Sequence, residues 1–185
     1  MTFSHDTEHA LEAVVDLVNG DPVAGGTEGL PDVGALRSFI DSFKISDLPT
    51  VTESDLQAVR ALRPRLRQVF EAGDTATAAE LVNELLSGAR VCPRLTNHDG
   101  YDWHIHYFAP GSRPAEHLLI DAGMALSFVV VAGEQERLQV CSAPDCERVL
   151  VDLSRNRSKR YCDSRTCGNR LHVAAYRERQ RAAAV

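Results

Sequence analysis

The sequence predicts an α+β fold in two unequal parts: a mainly helical N-terminal domain with one antiparallel β-hairpin, then a small module built on four cysteines and ending in a helix. Three observations carry that prediction. Apolar residues recur at helical spacing through residues 11–85 and again over 115–131. Two alternating segments, 91–97 and 101–108, flank an Asp-Gly turn. Cys141, Cys146, Cys162 and Cys167 form two C-x4-C pairs.

Each element has a local cause. Leu11, Val14, Val15 and Val18 share one helix face, and Leu36, Phe39, Ile40 and Phe43 share another, with the Gly-rich stretch 21–31 as the loop between them. Thr52 and Asp55 suit a capping box opening a third helix, which continues through Leu56, Val59, Leu66 and Val69. Pro64 falls inside that pattern and should kink or split it. A fourth helix carries Ala78, Leu81, Val82 and Leu85, with Gly88 as its expected C-cap. In the hairpin, Tyr101, Trp103, Ile105 and Tyr107 alternate with Asp102, His104, His106 and Phe108. The expectation there is a packed Trp103 beside surface histidines, although His104 and His106 share a face, and with His98 in the turn a metal or ligand site is geometrically possible. The helix over 115–131 follows, and the cysteine module is expected to dock on it. The domains are accordingly drawn at 1–139 and 140–185.

Composition bounds the class. Hydrophobic residues are 44% and charged residues 25% of the chain, which is globular usage. No basic stretch followed by an apolar core marks a secretory signal, and the apolar run 124–132 is too short to span a bilayer. A cytoplasmic protein with no membrane partner is expected, and in a reducing compartment spaced cysteines read as metal ligands before disulfides. The formal charge of −6 hides a division. Residues 141–185 hold ten Lys/Arg and five Asp/Glu, a formal +5, which leaves −11 for the rest. Such asymmetry suits a tail that meets a polyanion.

Zinc imposes no ligand-field geometry of its own and accepts four soft sulfurs in a tetrahedron. The paired spacing therefore predicts one structural Zn2+ on Cys141, Cys146, Cys162 and Cys167; buried cysteines or another metal are the alternatives. Residues 148–152 suit a short strand, 154–158 a polar turn, and Cys167 the start of the last helix, where a thiolate is favoured by free N–H groups. Knuckle, hairpin and helix sharing one ion make a treble-clef-like arrangement. Four cysteines leave no open coordination position, so the ion would supply geometry and folding energy instead of catalysis. Cys92, left over, reads as a buried thiol.

The run from Cys141 through V-D-L-S-R-N-R-S-K-R-Y-C to Cys167-Gly168-Asn169-Arg170 closely resembles the CGNR-type zinc finger, which in its family stands behind an N-terminal ABATE-type domain. The resemblance implies a stress-related bacterial transcription regulator with a DNA-binding finger. It carries the four cysteines over as ligands, and Asp152, Ser154, Arg155, Asn156, Arg157, Ser158, Arg160, Gly168, Asn169 and Arg170 as the signature around them. Leu150 and Tyr161 stand where aromatic residues and Trp are usual, which touches only packing.

Double-stranded DNA is thus the expected partner. Arg155, Arg157, Lys159 and Arg160 crowd one turn and could hold phosphates, with Ser154 and Asn156 adding hydrogen bonds. Arg170, Arg177 and Arg181 lie along one helix face suited to a groove, with small Ala174 permitting close approach. The competing reading has Arg170 tying the finger together internally while the other arginines face solvent. The alternative function is a zinc-stabilised protein-interaction module without sequence-specific DNA binding. An enzyme is not expected: no glycine-rich phosphate loop, nucleophile elbow, H-E-x-x-H or paired catalytic carboxylates occur. Dimerisation through the helical domain, which would also be the place for a small-molecule or protein effector, completes the expectation.

Overall fold

The computed structural model describes residues 3–45, 48–97 and 103–183. The helical body contains α1 (His5–Asn19), the short α2 (Pro22–Gly25), α3 (Val33–Ser42), α4 (Glu53–Arg60), α5 (Leu62–Glu71), α6 (Thr75–Leu86) and α7 (Pro114–Val131). A hairpin of β1 (Arg94–Thr96) and β2 (His104–His106) separates α6 from α7. A second hairpin, β3 (Leu138–Val140) with β4 (Val149–Val151), and α8 (Asn169–Ala183) form the cysteine module. The sequence's α+β reading, with a helical N-terminal region, a hairpin and a cysteine cluster followed by a helix, is the fold observed.

Local chemistry accounts for most boundaries. Ser4 caps α1 by accepting the Thr7 N–H at 3.2 Å. At α4 the Thr52 N–H donates to the Asp55 carboxylate at 2.8 Å, closing the capping box. The expected third helix is indeed split into α4 and α5: the break falls at Ala61, three residues before Pro64, whose ring cannot accommodate the preceding turn. Two boundaries differ from expectation. The Gly-rich loop holds α2, started by Asp21 and Pro22. The C-cap of α6 is Ser87 in right-handed conformation, so Gly88 is not the cap.

The core is formed where α7 packs against α1, α4 and α6. Leu11, Val18, Leu56, Val59, Leu66, Val69, Leu126 and Val129 are all sealed there. Gly123 lets α6 and α7 approach closely, because a Cβ at that position would lie 2.6 Å from Leu86 Cδ2. By length and composition α7 could cross a bilayer, but in this fold its buried residues face the neighbouring helices. Burial pushes the Asp55 carboxyl up, but hydrogen bonds from Thr52 and the Arg113 guanidinium at the start of α7 hold it below its usual range.

Hairpin β1–β2 faces the opposite way from expectation. Its strands pair antiparallel with Leu95 opposite Ile105, and these two, with Trp103, are exposed. Trp103 keeps 69% of its surface in solvent, whereas Phe108 is sealed and His104 and His106 turn toward the body. By alternation the Trp103 face is the more apolar, but the body covers the other, on which Phe108 lies against His117 of α7 with ring centroids 3.5 Å apart. The predicted turn at 98–100, with His98, and Tyr101 and Asp102 of the second predicted strand lie outside the described residues. Cys92 is exposed, not buried.

The β3–β4 hairpin docks mainly on α1 and α5, not on α7 as the sequence suggested. Asn19, ending α1, clamps Val149 on both sides: its amide donates to the Val149 carbonyl at 2.9 Å and accepts the Val149 N–H at 2.8 Å. Arg67 of α5 reaches Glu147 at 3.1 Å. Val149 and Val151 join the helical core with Leu138, while Leu150 turns to the cysteines.

Candidate metal centre and basic surface

The loop between β3 and β4 presents the first cysteine pair. Its shape is set by hydrogen bonds from the Cys141 N–H to Arg148 O at 2.8 Å and from the Cys146 N–H to Ala143 O at 3.1 Å. The second pair comes from the entry to α8. Cys162 precedes a single wide turn, Ser164–Gly168, which contains Cys167. Asp163 opens that turn, its carboxylate accepting the Arg165 N–H at 2.6 Å. A bond from the Ser142 N–H to Arg160 O at 2.9 Å brings the two halves together.

The four Sγ atoms converge within 4.8 Å of one another. Cys146 and Cys162 are 3.7 Å apart and Cys162 and Cys167 3.8 Å. A tetrahedron with Zn–S bonds of about 2.3 Å has S···S edges of about 3.8 Å, so the donors fit one tetrahedral ion. Disulfides are not formed. Electrostatics points the same way. Burial and the adjoining sulfurs push the Cys162 thiol strongly up; burial likewise raises Cys146. Burial also opposes ionisation of Cys141, but N–H groups of Cys162 and Ala143 outweigh it and bring that thiol down. Four thiolates this close repel one another unless a cation sits among them. Leu150, Ala143 and Tyr161 pack around the sulfurs; Leu150 and Tyr161 are the two positions where the sequence departs from its resemblance.

The loop after β4 is organised by Asp152, which is fully buried. Its carboxylate accepts the N–H groups of Ser154 and Lys159, both at 2.8 Å. Burial pushes this carboxyl up, and the Ser154 and Lys159 bonds together with the nearby Arg137 charge bring it below the usual range. Buried Arg137 donates to the carbonyls of Asp152 at 2.6 Å and Ser154 at 3.0 Å. The segment 133–139, which joins α7 to the cysteine module, is therefore fastened at its centre. Arg137 also pairs with Glu134, three residues back, at 2.7 Å, but the carbonyls it holds lie 15 and 17 residues away, which left its role without a sequence signal.

The predicted nucleic-acid residues separate into two sets. Arg157, at φ +49° in the left-handed region, turns back toward the body and pairs with Glu134 at 2.7 Å and with Glu136. Arg170 makes two bonds to Asp145, at 2.7 and 2.6 Å, clipping α8 to the knuckle. Here the internal-tie reading of Arg170 has a partner. Ser154 is half-buried, its Oγ accepting the Ser158 N–H at 3.2 Å. The other predicted side chains, Arg155, Asn156, Lys159, Arg160, Arg177 and Arg181, are exposed, as are the paired Arg157 and Arg170 and also Arg165 and Arg179, which the sequence reading had passed over; Lys159 Nζ donates to the Val151 carbonyl at 3.3 Å.

Comparison with known families divides the chain close to the seam between body and module. Residues 11–134 match the ABATE family, described as "Putative stress-induced transcription regulator", and residues 137–180 match the CGNR zinc finger. No curated protein matches the chain.

Proposed function

Because the chain belongs to the ABATE family and ends in a CGNR zinc finger, two non-catalytic module types, we propose that it is a DNA-binding transcription regulator whose finger is assembled around one structural zinc ion. The observation that carries this reading is the cysteine cluster, which fixes an exposed cationic surface onto an acidic body. Cys141, Cys146, Cys162 and Cys167 would hold the ion in a closed site that supplies geometry to the loop and to α8. Arg155, Lys159 and Arg160 would contact phosphates, and Arg177 and Arg181 would be the groove-facing side chains of α8. Arg157 and Arg170 instead hold the module in shape. A homodimer through the helical domain would double these contacts; sedimentation equilibrium giving only monomer at micromolar protein removes that part.

The test is titration of double-stranded DNA across a salt series. Three phosphate contacts predict a log K against log salt slope of about −3 per finger. A selected sequence should bind at least about a thousandfold more tightly than bulk DNA. No preference for any genomic fragment would remove the sequence-specific reading. The second reading, a zinc-stabilised protein-interaction module, is favoured by the two signature arginines held in internal ion pairs. Partner capture that survives replacement of Arg155, Lys159 and Arg160, in a protein that does not bind DNA, would establish it.

A further inference from the structure

Away from the finger, a cavity of about 550 Å3 lies between α1, the end of α3, β2 and α7, a size typical of small-molecule sites. Its walls are largely hydrocarbon and aromatic, with Val14, Leu17, Phe43, Tyr107, Ala125 and Phe128 among them. Tyr107 and Phe128 form one corner, their ring centroids 6.2 Å apart and their planes inclined at 55°. The face of an aromatic ring is electron-rich, so such walls accept a cation as readily as they accept hydrocarbon.

The charge at the border of the cavity has a sign. Asp6, in the first turn of α1, and Asp121, midway along α7, both line it. Their side chains are 52% and 32% exposed, so neither acid is sealed into the hydrocarbon. Asp121 and Phe128 are seven residues apart and share a face of α7, which sets an acid beside an aromatic wall. Among the described residues neither carboxylate is paired with Lys or Arg. Their partners are imidazoles, His5 at 3.8 Å from Asp6 and His117 at 3.1 Å from Asp121.

Both acids are felt inside. Burial, and after it the charges of Asp121 and Asp6, hold the Tyr107 phenol above its usual range. Lys44 is the only Lys or Arg among the described lining residues. With the histidines neutral, the border carries two negative charges against one positive, in a body whose own formal charge is −11. That field repels an anion and leaves a neutral ligand indifferent; a cation is drawn by both the acids and the rings.

We infer that this cavity binds an organic cation with an aromatic body, its rings against Phe43, Tyr107 and Phe128 and its ammonium at the Asp6 and Asp121 border. Binding here is independent of what the finger recognises; only the ligand's role as an effector rests on the regulator reading.

Three naphthalene probes of similar size test the assignment by calorimetry on the full chain, slightly above neutral pH: 2-naphthylmethylammonium, the neutral 2-naphthylmethanol, and the anion 2-naphthoate. The expected result is saturable one-to-one binding of the ammonium. The alcohol should bind at least about tenfold more weakly, and the naphthoate should not saturate. Added salt should narrow the gap between ammonium and alcohol. Asp6→Asn combined with Asp121→Asn keeps the side-chain volumes and removes both charges, so it should lower the ammonium to the level of the alcohol and leave the alcohol unchanged. Ala10→Trp fills the cavity from its partly exposed α1 wall and should abolish binding of both, with the melting temperature reporting that the body remains folded. Equal binding of ammonium and alcohol, a preference for the naphthoate, saturation by none, or an ammonium affinity indifferent to the paired Asn substitution would overturn the inference. Binding that survives Ala10→Trp would place the ligand elsewhere and overturn it as well.

Discussion

The helical body and the finger are held together by different physics. The body is sealed by aliphatic side chains from α1, α4, α5, α6 and α7, and its cohesion is spread over many residues. The finger's own cluster is Leu150, Ala143 and the four cysteines, with Tyr161 against them. A core this small cannot offset the conformational entropy of some forty ordered residues on the order of 1–2 kcal/mol each. The difference teaches where each region can fail: the body loses stability gradually with each truncated side chain, and the finger loses it together with its metal.

Removing the ion should therefore have the largest effect. Chelation, or Cys162→Ser, is expected to cost the finger about 10 kcal/mol or more, releasing α8 while most helical signal from the body remains. Metal content measured beside circular dichroism and hydrogen exchange checks this; full exchange protection of 150–170 in metal-free protein would break the comparison.

Next is the body. Leu126→Ala removes a fully buried side chain of α7 and should lower global stability by about 3–4 kcal/mol without changing zinc stoichiometry. Denaturant melts with metal analysis separate the two outcomes. Asp152→Ala strikes the seam. It leaves the Ser154 and Lys159 N–H groups without their acceptor and the Arg137 guanidinium without the carboxylate charge near it, although its bond to the backbone carbonyl of residue 152 remains; the expected cost is about 3 kcal/mol, concentrated in the loop before Cys162 and read by local exchange rates.

Acid should weaken both regions through named carboxylates. Glu28 is lowered chiefly by its bond to Arg63, against the effect of burial. For Asp55 and Asp152 burial raises the value, and hydrogen bonds with nearby guanidinium charge outweigh it. A carboxyl depressed in the folded state contributes stability that is complete above its unfolded value, near pH 4, and is lost as pH falls through the folded value. Urea midpoints should thus be level from neutral pH to about 5 and decline below about 4. A midpoint that rises on acidification would contradict the assignment.

The smallest effects distinguish arginines inside the finger. Arg155→Ala, which removes a proposed phosphate contact, should reduce the DNA salt slope by about 1. Arg170→Ala, whose guanidinium is bonded to Asp145, should leave that slope unchanged and loosen the start of α8 instead. Equal slopes for the two variants would show that the division between shape-holding and contact arginines is misplaced.

Much of this architecture was legible in sequence because its causes are local. The α1 and α3 faces, the Thr52–Asp55 box and the break ahead of Pro64 each depend on residues within one or two turns. The cysteine spacing likewise announced the cluster. What escaped depends on distant partners. Nothing near Arg157 indicates that Glu134 and Glu136 will hold it, and Asp145 lies 25 residues from Arg170. The hairpin misled for a different reason: alternation put Trp103 and Ile105 on the more apolar side, and only the seat of Phe108 against His117 of α7 shows that the body covers the other.

Strand β4 gives adjacent side chains to different cores, Val149 and Val151 to the helices and Leu150 to the sulfurs. Because the side-chain period of a strand is two residues, adding or deleting a single residue between Arg148 and Asp152 would exchange those addresses, presenting Leu150 to the helices and a valine to the metal site. These few positions should be where the lineage tolerates changes of length least, even though substitutions among aliphatic residues there are mild. Loop growth belongs elsewhere, on the solvent side of the knuckle or before α3, where an added residue changes reach without changing phase.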